Sequence, residues 1–74
     1  MACRVGMTTN PGRRKREWER EHPTLRNWTI LGRYKTKTKA QQVEKMLAKR
    51  HGCVFYPGGD GDENDNWVVY KFDY

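Results

Sequence analysis

The densest set of chemistry-bearing residues is the run Arg13-Arg14-Lys15-Arg16, extended by Arg20 and Arg26. An arginine guanidinium is a planar fork of donors that matches two phosphate oxygens at once. The run follows Asn10-Pro11, where Asn suits a helix N-cap and Pro the first helical position. A helix starting there turns free N–H groups and the positive end of its dipole toward an anion. Phosphate binding that ignores base sequence and weakens with salt is the chemistry expected. The plainer reading is a solvated helix face, on which Glu17, Glu19 and Glu21 pair with Arg13, Arg14, Lys15 or Arg20 at helical spacing.

A second basic band is Arg33, Lys35, Lys37 and Lys39, with Tyr34 inside it. Alternating cations on an extended segment can follow a phosphate backbone while Tyr34 stacks on a base. Lysines on an edge strand also discourage aggregation, and the two roles are compatible.

Glu44 is the odd residue of its segment. Four residues after Ala40 on a helix, it borders the apolar stripe and points to the rim of a sheet. A carboxylate there can hold a hard divalent cation such as Mg²⁺. On position alone, an ion pair with Lys37, Lys45 or an arginine across the sheet is the simpler expectation.

Two further groups carry less. Asp60, Asp62 and Asn64 match the first positions of an EF-hand loop, but Asp65 stands where that loop needs Gly and Lys71 where it needs Glu. A solvated turn is expected. Cys3, His22, His51 and Cys53 lack zinc-ligand spacing, and two reduced, buried cysteines on neighbouring strands are expected instead.

These residues need elements to hold them. Cys3, Val5 and Met7 alternate with Arg4 and Gly6, a strand pattern. A charged helix from Pro11 to about Glu21 follows, with Trp18 its one large apolar residue, and Pro23 ends it. A strand spans Trp28 to Tyr34. Thr38 and Gln41 form a capping box for a second helix running to His51, with Gly52 just past its end. Cys53 to Tyr56 forms a short strand, Pro57 to Asn66 an acidic Gly/Asp-rich loop, and Trp67 to Tyr74 a final strand. The expected fold is therefore α+β: a small β-α-β-α-β-β domain with one sheet and two flanking helices over residues 1–74. The strand order is left open.

Composition narrows the partners. The 74 residues carry a net charge of +6. Met1 to Gly52 holds 14 Lys+Arg against 4 Asp+Glu, and Cys53 to Tyr74 holds one Lys against five Asp+Glu. The basic part suits a polyanion such as a DNA or RNA backbone. A protein partner is the alternative, since a chain with one basic and one acidic pole can dock by charge. No apolar stretch approaches a membrane span, so no membrane partner is expected. Two cysteines and no signal-peptide pattern suggest a cytoplasmic setting. Three Trp, four Tyr and two Phe leave room for an exposed patch, so monomer and homodimer both remain open.

The run Arg4-Val5-Gly6-Met7-Thr8-Thr9-Asn10-Pro11-Gly12-Arg13-Arg14 resembles the second half of the GIY-YIG nuclease signature. In that family a strand ending Tyr-Ile-Gly leads through a Thr-containing turn into a helix. The helix bears an essential arginine eight residues after the Gly; here that position is Arg14. Ala40-Gln41-Gln42-Val43-Glu44 is similar to the family's helix segment, with Ala four residues before a metal-binding Glu. The resemblance covers roughly Arg4 to Lys49. It implies a nuclease-like α+β fold, a DNA or RNA substrate, Mg²⁺ at Glu44 and charge stabilisation by Arg14.

Two departures qualify this. The strand carrying the GIY tripeptide does not precede Arg4, and Arg4 replaces the Tyr of the second tripeptide. Val68-Val69-Tyr70 resembles the missing tripeptide, which implies a circular permutation with Tyr70 standing in for a family tyrosine. The leading expectation is a basic nucleic-acid-binding domain without hydrolysis. Its alternatives are an active Mg²⁺-dependent endonuclease using Arg14, Glu44 and Tyr70 (or Tyr34), and a small protein-binding inhibitor or adaptor. The residues expected on the nucleic acid are Arg13, Arg14, Lys15, Arg16, Arg20, Arg33, Tyr34, Lys35 and Lys37.

Overall fold

The computed structural model describes residues 2–55 and 61–74. Its elements run β1 (Cys3–Thr8), α1 (Pro11–Glu21), β2 (Arg26–Thr36), α2 (Lys37–His51), β3 (Val54–Phe55) and β4 (Asn64–Asp73). The strands form one mixed sheet in the order β2-β4-β1-β3. β4 lies antiparallel to both β1 and β2, and β3 pairs parallel to β1. This is the expected α+β element order, and the strand order is new information.

The local signals explain most boundaries. Asn10 caps α1, its side chain accepting from the Arg13 N–H, and Pro11 is the first helical residue. Gly52 ends α2 in the left-handed conformation (φ 67°), which a residue without Cβ adopts at little cost.

The start of α2 differs from expectation. Thr36, not Thr38, is the N-cap, accepting from the Lys39 N–H at 3.2 Å. Thr38 instead donates its N–H and its hydroxyl to the Glu63 carboxylate, at 2.9 and 2.8 Å. These bonds hold the Glu63 carboxyl below its ordinary pKa, the backbone N–H of Thr38 contributing most. The acidic residue that caps this helix thus comes from a distant segment, which no local capping box can encode.

Two strands are longer than their apolar patterns. β2 begins at Arg26 because Arg26 still pairs with Asp73 beyond a register shift, at which Asn27 adopts φ 59° and donates its amide to Asp73 at 2.9 Å. Asn tolerates that region better than most residues. β4 begins at Asn64 because its backbone continues to pair with β2 as far as Thr36. Backbone ladders require no apolar side chain. Tyr56 and the loop positions Pro57 to Asp60, including Asp60 of the calcium-like pattern, lie outside the described residues.

Cys3 and Cys53 are joined as a disulfide. This corrects the expectation of two reduced thiols. Cys53 directly precedes β3, which pairs with β1 one residue beyond Cys3. Parallel pairing therefore brings together two cysteines separated by 50 positions in sequence, and no spacing rule encodes that meeting.

Alternation along β4 divides the core between the two faces of the sheet. Trp67 and Val69 join Val5, Met7, Ala40, Val43 and Ala48 in a buried cluster under α2. Tyr70, Phe72 and Tyr74 point the other way and meet Trp18 and His22 of α1 and Trp28 of β2. α1 itself contains no buried residue. An 11-residue helix is marginal alone in water, so its docking rests on Trp18 and His22.

Candidate functional site

The β1–α1 junction sets the first functional group. Gly6 lies near the end of β1, Thr8 accepts the Asn10 N–H at 3.0 Å, and the Arg14 N–H donates to the Asn10 carbonyl as the first helical bond. Arg14 and Trp18 then fall four residues apart on the face of α1 turned to the sheet. Arg13, Arg16 and Arg20 are exposed on the outside. Among the described residues, Arg14–Glu17 at 3.3 Å is the one ion pair along α1. With both partners about two-fifths exposed, it contributes little. Of the pairings expected on a solvated helix face, Arg14–Glu17 is the one found among the described residues, while Arg13, Arg16 and Arg20 are exposed as such a face requires.

The second group comes from β4. Tyr70 sits opposite Gly6 in the antiparallel register. A Cβ at Gly6 would collide with the Tyr70 hydroxyl and ring, so the glycine is what lets the phenol lie across β1. Trp28 stacks on the Tyr70 ring at 4.5 Å. The Trp18 indole N–H donates to Tyr70 Oη at 2.8 Å, and the Arg14 guanidinium, which lines the same pocket, acts on this oxygen through its charge. Burial pushes the Tyr70 pKa up, and the Glu44 carboxyl adds to this. The bond from Trp18 and the Arg14 charge pull it down without cancelling the rise. Tyr70 is thus a neutral phenol at neutral pH. The Trp18 N–H occupies its oxygen as a donor, which leaves its own hydrogen to point elsewhere.

The third group is Glu44. It lies within the α2 stripe of Ala40, Val43 and Ala48 and is 1% exposed. Its Oε1 has no hydrogen-bond partner, and it forms no ion pair among the described residues. The expected pairing with Lys37, Lys45 or an arginine is therefore not found. Burial alone raises its pKa to about 7.

These groups meet in one pocket of about 160 Å³, lined by Arg4, Val5, Gly6, Met7, Arg14, Trp18, Glu44 and Tyr70. Among the described residues, β3 covers β1 only at Arg4 and Val5. Beyond that point Arg14 and Tyr70 from one face of the sheet and Glu44 from the other converge around Gly6 and Met7.

The remaining candidates lie elsewhere. Arg33, Tyr34 and Lys35 line a separate hollow with Asn66, Trp67 and Val68. Arg33 and Lys35 are exposed, and Tyr34 is half-buried over Gly32 and against the α2 core. Tyr34 is therefore away from the Arg14 pocket. Lys37 is not on an extended segment, because the chain turns into α2 there; its ammonium lies 5.7 Å from the Trp67 ring centroid. Lys15 is half-buried on α1.

Sequence reasoning undervalued two pocket residues. Trp18 orients Tyr70, and its signal was being the one large apolar residue on a charged helix. Arg4 entered only as a departure from a motif, yet its guanidinium lies 4.6 Å from the Trp18 ring centroid.

As for metals, no group of three or more His, Cys, Asp and Glu able to hold an ion occurs among the described residues. The disulfide also removes both thiols from the zinc-like quartet. Mg²⁺ needs less, because it commonly takes one or two carboxylates and fills its other positions with water and phosphate oxygens. One carboxylate with an orphaned oxygen, in a pocket that Arg14 also lines, fits that requirement. No helix among the described residues is long and apolar enough to cross a membrane. Comparison with protein-family models, with curated proteins and with solved structures returned no match in any of the three.

Proposed function

We propose that this domain binds the backbone of a nucleic acid and holds one phosphodiester in the Arg14–Glu44–Tyr70 pocket, with metal-dependent hydrolysis as the reaction for which those groups are equipped. The observation that carries the reading is the meeting, in one small pocket, of three residues from α1, α2 and β4. A GIY-YIG-like layout accounts for that meeting. Two further features favour it. Gly6 and Tyr70 are opposed on antiparallel strands. Ala2 and Tyr74 exchange both backbone hydrogen bonds, at 3.2 and 2.9 Å. A short connection from Tyr74 to Ala2 would turn β4 and β1 into one hairpin, as a circular permutation of that layout requires.

The division of labour follows from the chemistry. Arg13, Arg16 and Arg20 on the outer face of α1 attract the polyanion. Arg14 binds a non-bridging oxygen and stabilises charge that builds on it in the transition state. The Tyr70 hydroxyl donates to a phosphate oxygen or to the attacking water. Ionised Glu44 is the group that would hold Mg²⁺, which when bound supplies Lewis-acid polarisation and charge neutralisation. Water adds to phosphorus, one P–O ester bond breaks, and the leaving oxygen takes a proton. The products are a phosphomonoester and an alcohol.

Binding without hydrolysis is the second reading, favoured by Arg4 in the position where the nuclease family has a tyrosine. One experiment separates the two. Fluorescence anisotropy with labelled single- and double-stranded oligonucleotides is measured across salt in EDTA. Mg²⁺ is then added and the samples are run on a gel. Affinity should fall steeply with salt and in Arg14→Gln, and cleavage should appear with Mg²⁺ and vanish in Glu44→Ala. Salt-sensitive binding with no cleavage selects the second reading. No binding at low salt overturns both and points to a protein partner.

A further inference from the structure

Arg4 is an unexpected residue for its place in the fold. Along β1, Val5 and Met7 face the apolar core under α2, so alternation turns Arg4, Gly6 and Thr8 to the α1 face. The cross-strand neighbours there are Phe72, Tyr70 and Val68. An aliphatic or aromatic side chain would suit such a position. A half-buried arginine is found instead.

Its setting gives the arginine a use. The Arg4 and Arg14 guanidinium carbons lie 4.6 and 5.3 Å from the centroid of the same Trp18 ring, within the range of cation–π attraction. The indole itself is fixed by its bond to Tyr70 and by stacking on His22. Both arginines line the pocket. Stacking on a ring fixes a guanidinium's plane and leaves its N–H edge to meet an acceptor. Two cations brought to one ring repel each other; Glu17 lies 3.3 Å from Arg14, and Glu44 is the one carboxylate among the described residues lining the pocket. The pocket therefore favours an anion that can take donors from both sides.

We infer that Arg4 and Arg14 form a two-arginine clamp on a single phosphate, with Trp18 as the spacer that sets their separation. Arg4 is then a phosphate-binding residue in its own right. The inference rests on the phosphate-pocket reading above. It adds that both non-bridging oxygens are contacted, one by each arginine, so an uncharged linkage of the same shape is rejected.

The test uses the smallest phosphodiester, thymidylyl-(3′→5′)-thymidine, and its methylphosphonate analogue, in which one non-bridging oxygen becomes a methyl group. Binding to the full chain is followed by NMR through the Trp18 indole N–H, assigned with Trp18→Phe. The parent protein should bind the diester and bind the analogue at least about tenfold more weakly, the scale of a lost charge-assisted bond. Arg4→Gln should weaken the diester by a similar factor and, of the analogue's two separated diastereomers, leave the residual affinity nearly unchanged for the one whose methyl replaces the oxygen facing Arg4. Arg4→Lys keeps the charge but loses the fork, so it should fall between; it also serves if Arg4→Gln does not fold. If Arg14→Gln loses the diester while Arg4→Gln or Arg4→Lys binds it like the parent, the clamp is overturned and the pocket reading survives. If the parent does not bind the diester, the pocket reading fails and the clamp with it.

Discussion

The two faces of the sheet are both covered by a helix, but they are built on different principles. Under α2 the contacts are mainly aliphatic, with Trp67 enclosed among them, and both helix ends are secured: by Thr36 and Glu63 at the start and by Gly52 at the end. Under α1 the contacts are rings carrying polar tips, and the helix buries none of its own residues fully. Burial of apolar area is nondirectional and stabilises without specifying orientation. Stacked rings with hydrogen-bonded tips also bury large areas, as Tyr70 and Phe72 do here, but they fix direction as well. The α2 face is thus held by nondirectional burial, and the α1 face supplies aimed groups. Glu44 breaks the division, as the one buried charged residue among the described residues.

The largest expected effect tests this contrast directly. Trp67→Ala should cost about 3–5 kcal/mol, the range for emptying a buried aromatic site. Trp18→Ala should cost clearly less in global stability while freeing α1 and Tyr70. Chemical denaturation followed by circular dichroism compares them. Equal losses would mean that α1 is as integral to the core as α2.

The next effect comes from Glu44. Its folded pKa of about 7 lies above the ordinary carboxylate value of 4.5. The folded form therefore binds the proton more tightly, and stability is greatest below the unfolded pKa and declines as pH rises from about 4.5 to 7. The full loss is on the order of 3 kcal/mol. Glu44→Gln should remove most of that slope and be the more stable protein at pH 8. Adding Mg²⁺ at pH 8 should raise the melting temperature of the parent but not of Glu44→Gln. A parent whose stability is flat across this window would show that Glu44 is solvated.

The smallest effect sharpens the aimed face. Gly6→Ala should destabilise by about 1–3 kcal/mol through overpacking, since the added carbon meets Tyr70. It should also shift the Tyr70 ring resonances and weaken oligonucleotide binding. Unchanged Tyr70 signals would show that the phenol has room to move without the glycine.

Much of this was legible in the chain. Asn10-Pro11 marks the start of α1, Gly52 marks the end of α2, and alternation marks β1 and β4, because caps and periodicity act over a few residues. Arg14 and Glu44 stand out for the same reason, as a cation after a helix start and a carboxylate on an apolar stripe. Thr36 in place of Thr38 was not legible, since the competing partner Glu63 arrives from 25 residues away. The disulfide was not legible either, since it depends on β3 pairing parallel to β1.

By itself, the sequence determined the element order, the charge asymmetry and the residue types able to meet a phosphate. Each of these follows from interactions between near neighbours or from composition. Only the tertiary structure decided that β4 sits between β1 and β2, that Tyr70 lies across Gly6 under the Trp18 indole, and that Arg4 shares that indole with Arg14. Those outcomes depend on which strands pair and in which register. Register is set by matching two apolar faces over the whole sheet, a global condition that no local stretch of sequence contains.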